Sequence, residues 1–335
     1  MRITRDKLLK LAQTYVTQQL MAKARPVCIY LTGSLLFEDA MIGGTADIDL
    51  IYVHDSEPPQ AREIIRITDE VHLDIAHVSQ DVFRYPRQLR TDPWLGAFMC
   101  YNPKPFHDTQ HWFEFTQAGI CAHFDQPGYV FERARPMAET ARQTWMNLQA
   151  GQVPAGPQQT LSYLQALEKA ANAIACLSGP PLTERRFLLL YPERTQSVQR
   201  PGLAAGLVDL LSENRDLLEG DLPAFVQRWK TSLITVSQRE TCPPRLQAPR
   251  LLYYTRAVEA LWEETPAAAL WILVRTWTAA ICILGIDSPA GEEWRAAMQT
   301  VGLSCEQIEN QLDALDAYLD NVEETLDIWA LENGL

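Results

Sequence analysis

Asp47-Ile-Asp-Leu-Ile-Tyr-Val53 alternates acidic and apolar side chains at its start, and the reading of the fold turns on that alternation. On a strand, residues two apart share a face. Ile48, Leu50 and Tyr52 therefore line one face, and Asp47, Asp49 and Ile51 the other. Upstream, Val27-Cys-Ile-Tyr-Leu31 reads as a buried strand that closes at Gly33. Downstream, Val71-His-Leu-Asp-Ile-Ala-His-Val78 reads as a third strand, with Asp74 set between Leu73 and Ile75. Pro58 and Pro59 break the chain between the second and third strands, and a short helix is expected over 60–68. Residues 103–115 are expected to form a further strand with a turn near His107-Asp108. Ahead of all these, Leu8, Leu9, Leu11, Ala12, Tyr15 and Val16 recur at helical spacing, and Pro26 ends that run.

Beyond Tyr129 the strand signal fades. Amphipathic runs at 161–177, 202–218, 251–263, 267–284 and 305–331 predict helices, separated by Pro-rich pieces. Gly151-Gln-Val-Pro-Ala-Gly156 is the most breaker-rich linker. The expected organisation is α+β: a mixed sheet flanked by helices over 1–150, then an all-α helical bundle over 151–335.

The 335 residues carry 29 Lys+Arg against 42 Asp+Glu, a net charge of −13. Such a balance repels nucleic-acid phosphates and favours cationic partners. Seven cysteines, odd in number, widely spaced and without a CxxC pair, argue against a disulfide framework and predict buried free thiols. The charged, amphipathic N-terminus is not expected to act as a signal peptide. The apolar stretch 267–286 has Arg275 in its middle and reads as a core helix rather than a membrane span. A cytoplasmic protein with no membrane contact is expected.

Asp47 and Asp49 on one strand face repel each other unless a cation lies between them. Asp74, on a neighbouring apolar strand, can join them. Three acids around divalent cations support in-line displacement at phosphorus. Gly33 permits close backbone approach to a phosphate, and the Ser34 hydroxyl can bind its oxygens. A purely structural reading makes Asp47 and Asp49 the polar face of an edge strand, but leaves Asp74 unexplained. A zinc site using His72, Asp74 and His77 lacks a close ligand cluster. No Walker loop, GxSxG or dinucleotide GxGxxG occurs.

Thr32-Gly33-Ser34, Asp47-Ile48-Asp49-Leu50 and Leu73-Asp74-Ile75, in that order, resemble the DNA polymerase β-like nucleotidyltransferase superfamily over roughly residues 25–80. With a helical second half, the chain resembles the streptomycin/spectinomycin type of aminoglycoside adenylyltransferase. The resemblance implies Mg²⁺-dependent transfer of a nucleoside monophosphate, AMP from ATP, to a hydroxyl of a small cationic acceptor. It implies Asp47, Asp49 and Asp74 as catalytic and metal-binding residues, with Gly33 and Ser34 on the phosphates. It also implies basic side chains of the helical half on the triphosphate, for which Lys169 and Arg185 are the candidates. The third acid of that adenylyltransferase type is commonly Glu; here it is the shorter Asp74. The Lys that opens the family's later helix is absent near Tyr191-Pro-Glu-Arg194. Two other readings stand beside this one. One is a toxin-type enzyme that modifies a protein or tRNA; the other is a silent nucleotide-binding scaffold.

Overall fold

A computed structural model of the chain describes residues 3–22, 26–37, 40–212 and 222–335. The protein is α+β. A mixed five-stranded sheet with helices comes first, and the rest is mostly helical. Two compact units divide at Met1–Tyr129 and Val130–Leu335. Gly151–Gly156, expected to separate domains, joins two helices of the second unit.

The first unit opens with α1 (Arg5–Ala22), followed by β1 (Cys28–Thr32), β2 (Ala46–His54), β3 (Arg62–Arg66) and β4 (Val71–Ser79). Two short helices, α2 (Pro86–Arg90) and α3 (Leu95–Cys100), lead to β5 (Lys104–Asp108) and α4 (Trp112–Cys121). The sheet order is β3-β4-β2-β1-β5. β2 and β4 are parallel, and every other pairing is antiparallel. β3 is thus an edge strand that forms a hairpin with β4. The Thr68 hydroxyl accepts the Val71 N–H at 3.1 Å in the connecting turn.

The two sheet faces bury different sets. Ile48, Leu50 and Tyr52 of β2 and Leu73 and Ile75 of β4 pack with Leu8, Ala12 and Val16 of α1. The i, i+4 spacing of those three α1 residues sets one stripe of the helix on the sheet. Ile51 and Val53, with Tyr30 of β1, pack instead against Ala97 and Met99 of α3 and Phe113 and Ile120 of α4.

Three expectations in this unit are corrected. Residues 62–66 form an edge strand, not a helix. Ile64 and Ile65 are β-branched, and β4 supplies the pairing that a five-residue helix lacks. The strand expected over 103–115 stops at Asp108, and α4 follows. There the Asp108 carboxylate accepts the Phe113 N–H at 3.0 Å and His111 adopts a positive φ of 58°. Cys100 and Cys121 are not free thiols: a disulfide joins the ends of α3 and α4. Cys28, Cys176, Cys242, Cys282 and Cys305 are free.

The second unit contains α5 (Pro127–Gln149), which starts at the division, α6 (Pro157–Ala175), α7 (Phe187–Ser197), α8 (Gly202–Leu211) and α9 (Leu222–Ser237). It continues with α10 (Leu251–Leu261), α11 (Pro266–Leu284), α12 (Pro289–Val301) and α13 (Cys305–Glu332). The last part of the helix expected over 202–218, residues 213–218, lies outside the described residues. α5, α7, α9 and α12 add to the helices expected from periodicity.

Among the described residues α11 alone has the length and apolar composition to cross a membrane, and 67% of its most apolar window is buried. It packs against α6, α9, α10 and α12. A capping box between Ser304 and Gln307 starts α13. Arg142 of α5 then holds that helix through Asp316, Asp320 and Glu323.

Candidate metal centre

The parallel register of β2 and β4 sets the site. Asp49 lies opposite Asp74, and Asp47 opposite His72. All four belong to the face that also carries Ile51 and Val53. Asp47 is 7% exposed and Asp74 3%. One carboxylate oxygen from each of Asp47, Asp49 and Asp74 lies within 4.8 Å of the others, so this cluster can hold a metal ion. At an effective dielectric constant near 20, two unit charges at that spacing repel by roughly 3.5 kcal/mol. A divalent cation offsets that repulsion directly. Three carboxylates and no nitrogen or sulfur ligand suit a hard cation such as Mg²⁺ or Mn²⁺ better than zinc.

β1 brings up the second part of the site. Thr32, its last residue, pairs with Asp49. Gly33 follows with φ of +77°. A Cβ on Gly33 would lie 1.9 Å from Asp49 Oδ2, so only glycine lets this turn approach the carboxylate. The Ser34 hydroxyl, in the following short helical turn, donates to the Ala40 carbonyl at 3.5 Å. Arg5 of α1 fixes that turn by donating to the carbonyls of Leu35 at 2.8 Å and Leu36 at 3.1 Å. Burial pushes the Cys28 thiol up, helped by Asp108. It also pushes the Tyr30 hydroxyl up, helped by Cys28. Both groups stay protonated at neutral pH and add no charge to the face that bears the acids.

One residue of the site escapes the sequence reading. Arg62, on edge strand β3, grips Asp74 with both arms of its guanidinium. Nε donates to Oδ1 at 2.6 Å and Nη2 to Oδ2 at 2.5 Å. The Arg62 side chain is 35% exposed. The signal was the pattern Arg62-Glu-Ile-Ile-Arg66, whose β-branched centre favours a strand. Read as a helix, the segment leaves Arg62 no defined face of the sheet.

The histidines separate by strand alternation. His72 is buried on the acid face. His77 is on the α1 face, where His54 Nε2 lies 2.9 Å from its Nδ1. Lys169 and Arg185 belong to the second unit. Lys169 sits half-buried on α6. With Arg133 and Arg194 it opposes the burial that pushes the Cys176 thiol up to about 12. Arg185 is 3% exposed, with its guanidinium 3.3 Å from the centre of the Tyr253 ring and Nη1 donating to the Tyr253 carbonyl at 3.2 Å. That seat, inside the helical unit, gives the Arg185 guanidinium an aromatic packing partner. Neither a protein-family model nor a curated protein matches this chain.

Proposed function

We propose that the protein transfers a nucleoside monophosphate, AMP from ATP, to a hydroxyl of a small cationic acceptor. The observation that carries this reading is the convergence of Asp47, Asp49 and Asp74 on adjacent parallel strands, beside a glycine turn that meets Asp49. Mg²⁺, held by those three carboxylates, would supply charge neutralisation at the triphosphate. Asp47 and Asp49 orient the nucleotide through the metal-binding face. The Gly33 turn offers backbone approach for the outer phosphates, and Ser34 a hydroxyl donor. Asp74 takes the proton of the acceptor hydroxyl as its oxygen bonds to the α-phosphorus. The bond from that phosphorus to the bridging oxygen breaks, and pyrophosphate leaves. The net charge of −13 supports a cationic acceptor over a nucleic-acid end.

The test is transfer of label from α-³²P-labelled ATP, GTP, CTP or UTP with Mg²⁺ to a panel of aminoglycosides and polyamino alcohols. Transfer from one nucleotide with pyrophosphate release is expected, and Asp47→Asn should remove it. Equal transfer by Asp47→Asn would sink the reading. So would absence of Mg²⁺-dependent nucleotide binding in a calorimetric titration.

A further inference from the structure

We infer that Arg62 is a latch on Asp74: it surrenders the carboxylate when a divalent cation binds, and then turns its guanidinium to a phosphate of the incoming nucleotide. The inference rests on the metal and nucleotide reading above and deepens it.

Three carboxylates within 4.8 Å of one another form a knot of negative charge, and Arg62 is ion-paired to Asp74 within it. Its fork occupies both oxygens of Asp74. Asp74 is 3% exposed and sits in the middle of β4, so the carboxylate has little room to move. Arg62 has that room. It is the first residue of the edge strand, its side chain is 35% exposed, and a flexible stem carries the guanidinium. When a cation draws on Asp74, the mobile partner is therefore the arginine.

A guanidinium fork fits a phosphate as well as it fits a carboxylate, bidentate in both cases. The nucleotide would bring its phosphates to the same three acids. A released Arg62 then exchanges one oxyanion for another beside it, without a stretch of exposed cost between the two states. The exchange makes cation and nucleotide binding favour each other. The cation frees the fork, and the phosphate keeps it away from Asp74. It also frees Asp74 to accept the acceptor's proton at the time when nucleotide is bound. Arg62 acts here as a positioning residue for Asp74 before the nucleotide arrives.

The test measures binding rather than turnover. Mn²⁺ alone is titrated into wild type, Arg62→Met and Arg62→Lys by calorimetry. AMPCPP, an ATP analogue with a methylene between the α and β phosphorus atoms, is then titrated at saturating Mg²⁺. A latch competes with the cation, so Arg62→Met should bind Mn²⁺ about fivefold tighter than wild type and AMPCPP about tenfold more weakly, within the usual range of coupling between sites. Arg62→Lys keeps a charge but loses the fork, and should fall between the two on both readouts. Thermal melting of each variant confirms the fold.

Mn²⁺ binding that is unchanged or weaker in a folded Arg62→Met overturns the latch, because Arg62 then does not compete with the cation for Asp74. Unchanged AMPCPP binding overturns the transfer to phosphate. A separate control isolates the underlying reading. If Asp47→Asn binds Mn²⁺ as wild type does, the metal centre itself is wrong and the latch falls with it.

Discussion

The two faces of β2 and β4 are made by alternate residues of the same strands, yet they are built to different ends. On the α1 face the middle of both strands is apolar: Ile48, Leu50 and Tyr52 with Leu73 and Ile75, closed by Leu8, Ala12 and Val16, and the His54–His77 pair comes only towards the strand ends. On the other face Ile51 and Val53 reach α3 and α4, but the first half of the strands presents Asp47, Asp49, His72 and Asp74. Burial of hydrocarbon stabilises the first face at no electrostatic cost. The second face holds like charges together, a choice that stability alone does not favour. The contrast separates the residues that hold the sheet from those that use it.

That separation can be broken by opposite substitutions. The largest effect is expected from Asp47→Asn, which should lower nucleotidyl transfer about 10²–10³-fold. A variant that loses activity only by unfolding would blur the two faces. Ile48→Ala tests the other side. It should cost about 2–5 kcal/mol in urea unfolding and leave the Mn²⁺ affinity of the folded protein unchanged.

The Cys100–Cys121 bridge spans a sequence separation of 21 and encloses β5 and α4. Replacing both cysteines by serine should cost about 3 kcal/mol by loop-closure entropy, read as a shift of the unfolding midpoint. Gly33→Ala comes next. The strained φ should cost about 1–3 kcal/mol. The new Cβ would also push Asp49 Oδ2 aside, so Mn²⁺ affinity should fall together with stability. Retained Mn²⁺ affinity would separate the glycine turn from the acids.

The smallest effect is a pH dependence on the α1 face. Burial first, and then His77, lowers the pKa of His54, against a raising effect of Asp55. The folded state therefore binds that proton less readily than the unfolded chain. The His54 contribution is fully present above the ordinary histidine value of about 6.5 and is lost as pH falls through the lower folded value. His54→Gln should flatten the fall of the urea midpoint between about pH 7 and 5. An identical slope in that variant would assign the loss to other groups.

The strands that carry the acids were legible because their alternation is long. The reading at Asp47–Val53 became Ala46–His54, and that at Val71–Val78 became Val71–Ser79. The acids' convergence was legible as a possibility, but it needed β4 to lie beside β2, which no local pattern states. Arg62 was lost because five residues with charged ends fit either periodicity, and tertiary pairing with β4 settles the matter. α4 escapes the sequence pattern for a related reason. Its start depends on an Asp108 side chain and a positive φ, which outweigh the aromatic run of Trp112 to Phe115. The cysteine bridge was illegible, since it forms where the packing of α3 on α4 brings two helix ends together.

The parallel pairing of Asp49 with Asp74 has a thermodynamic consequence. Asp47 and Asp49 are near each other in any conformation of the chain, whereas Asp74 joins them only after β3 has folded back and β4 has slotted beside β2. The complete oxygen cage therefore belongs to the folded state alone. An ion that uses all three acids reports on the closing of this sheet. By mass action it should add about 2.7 kcal/mol to unfolding when present at a hundred times its dissociation constant. The metal would then act as a reagent for the topology itself, and without nucleotide its stabilising effect should vanish in Asp74→Asn at the metal concentration that saturates the wild-type protein.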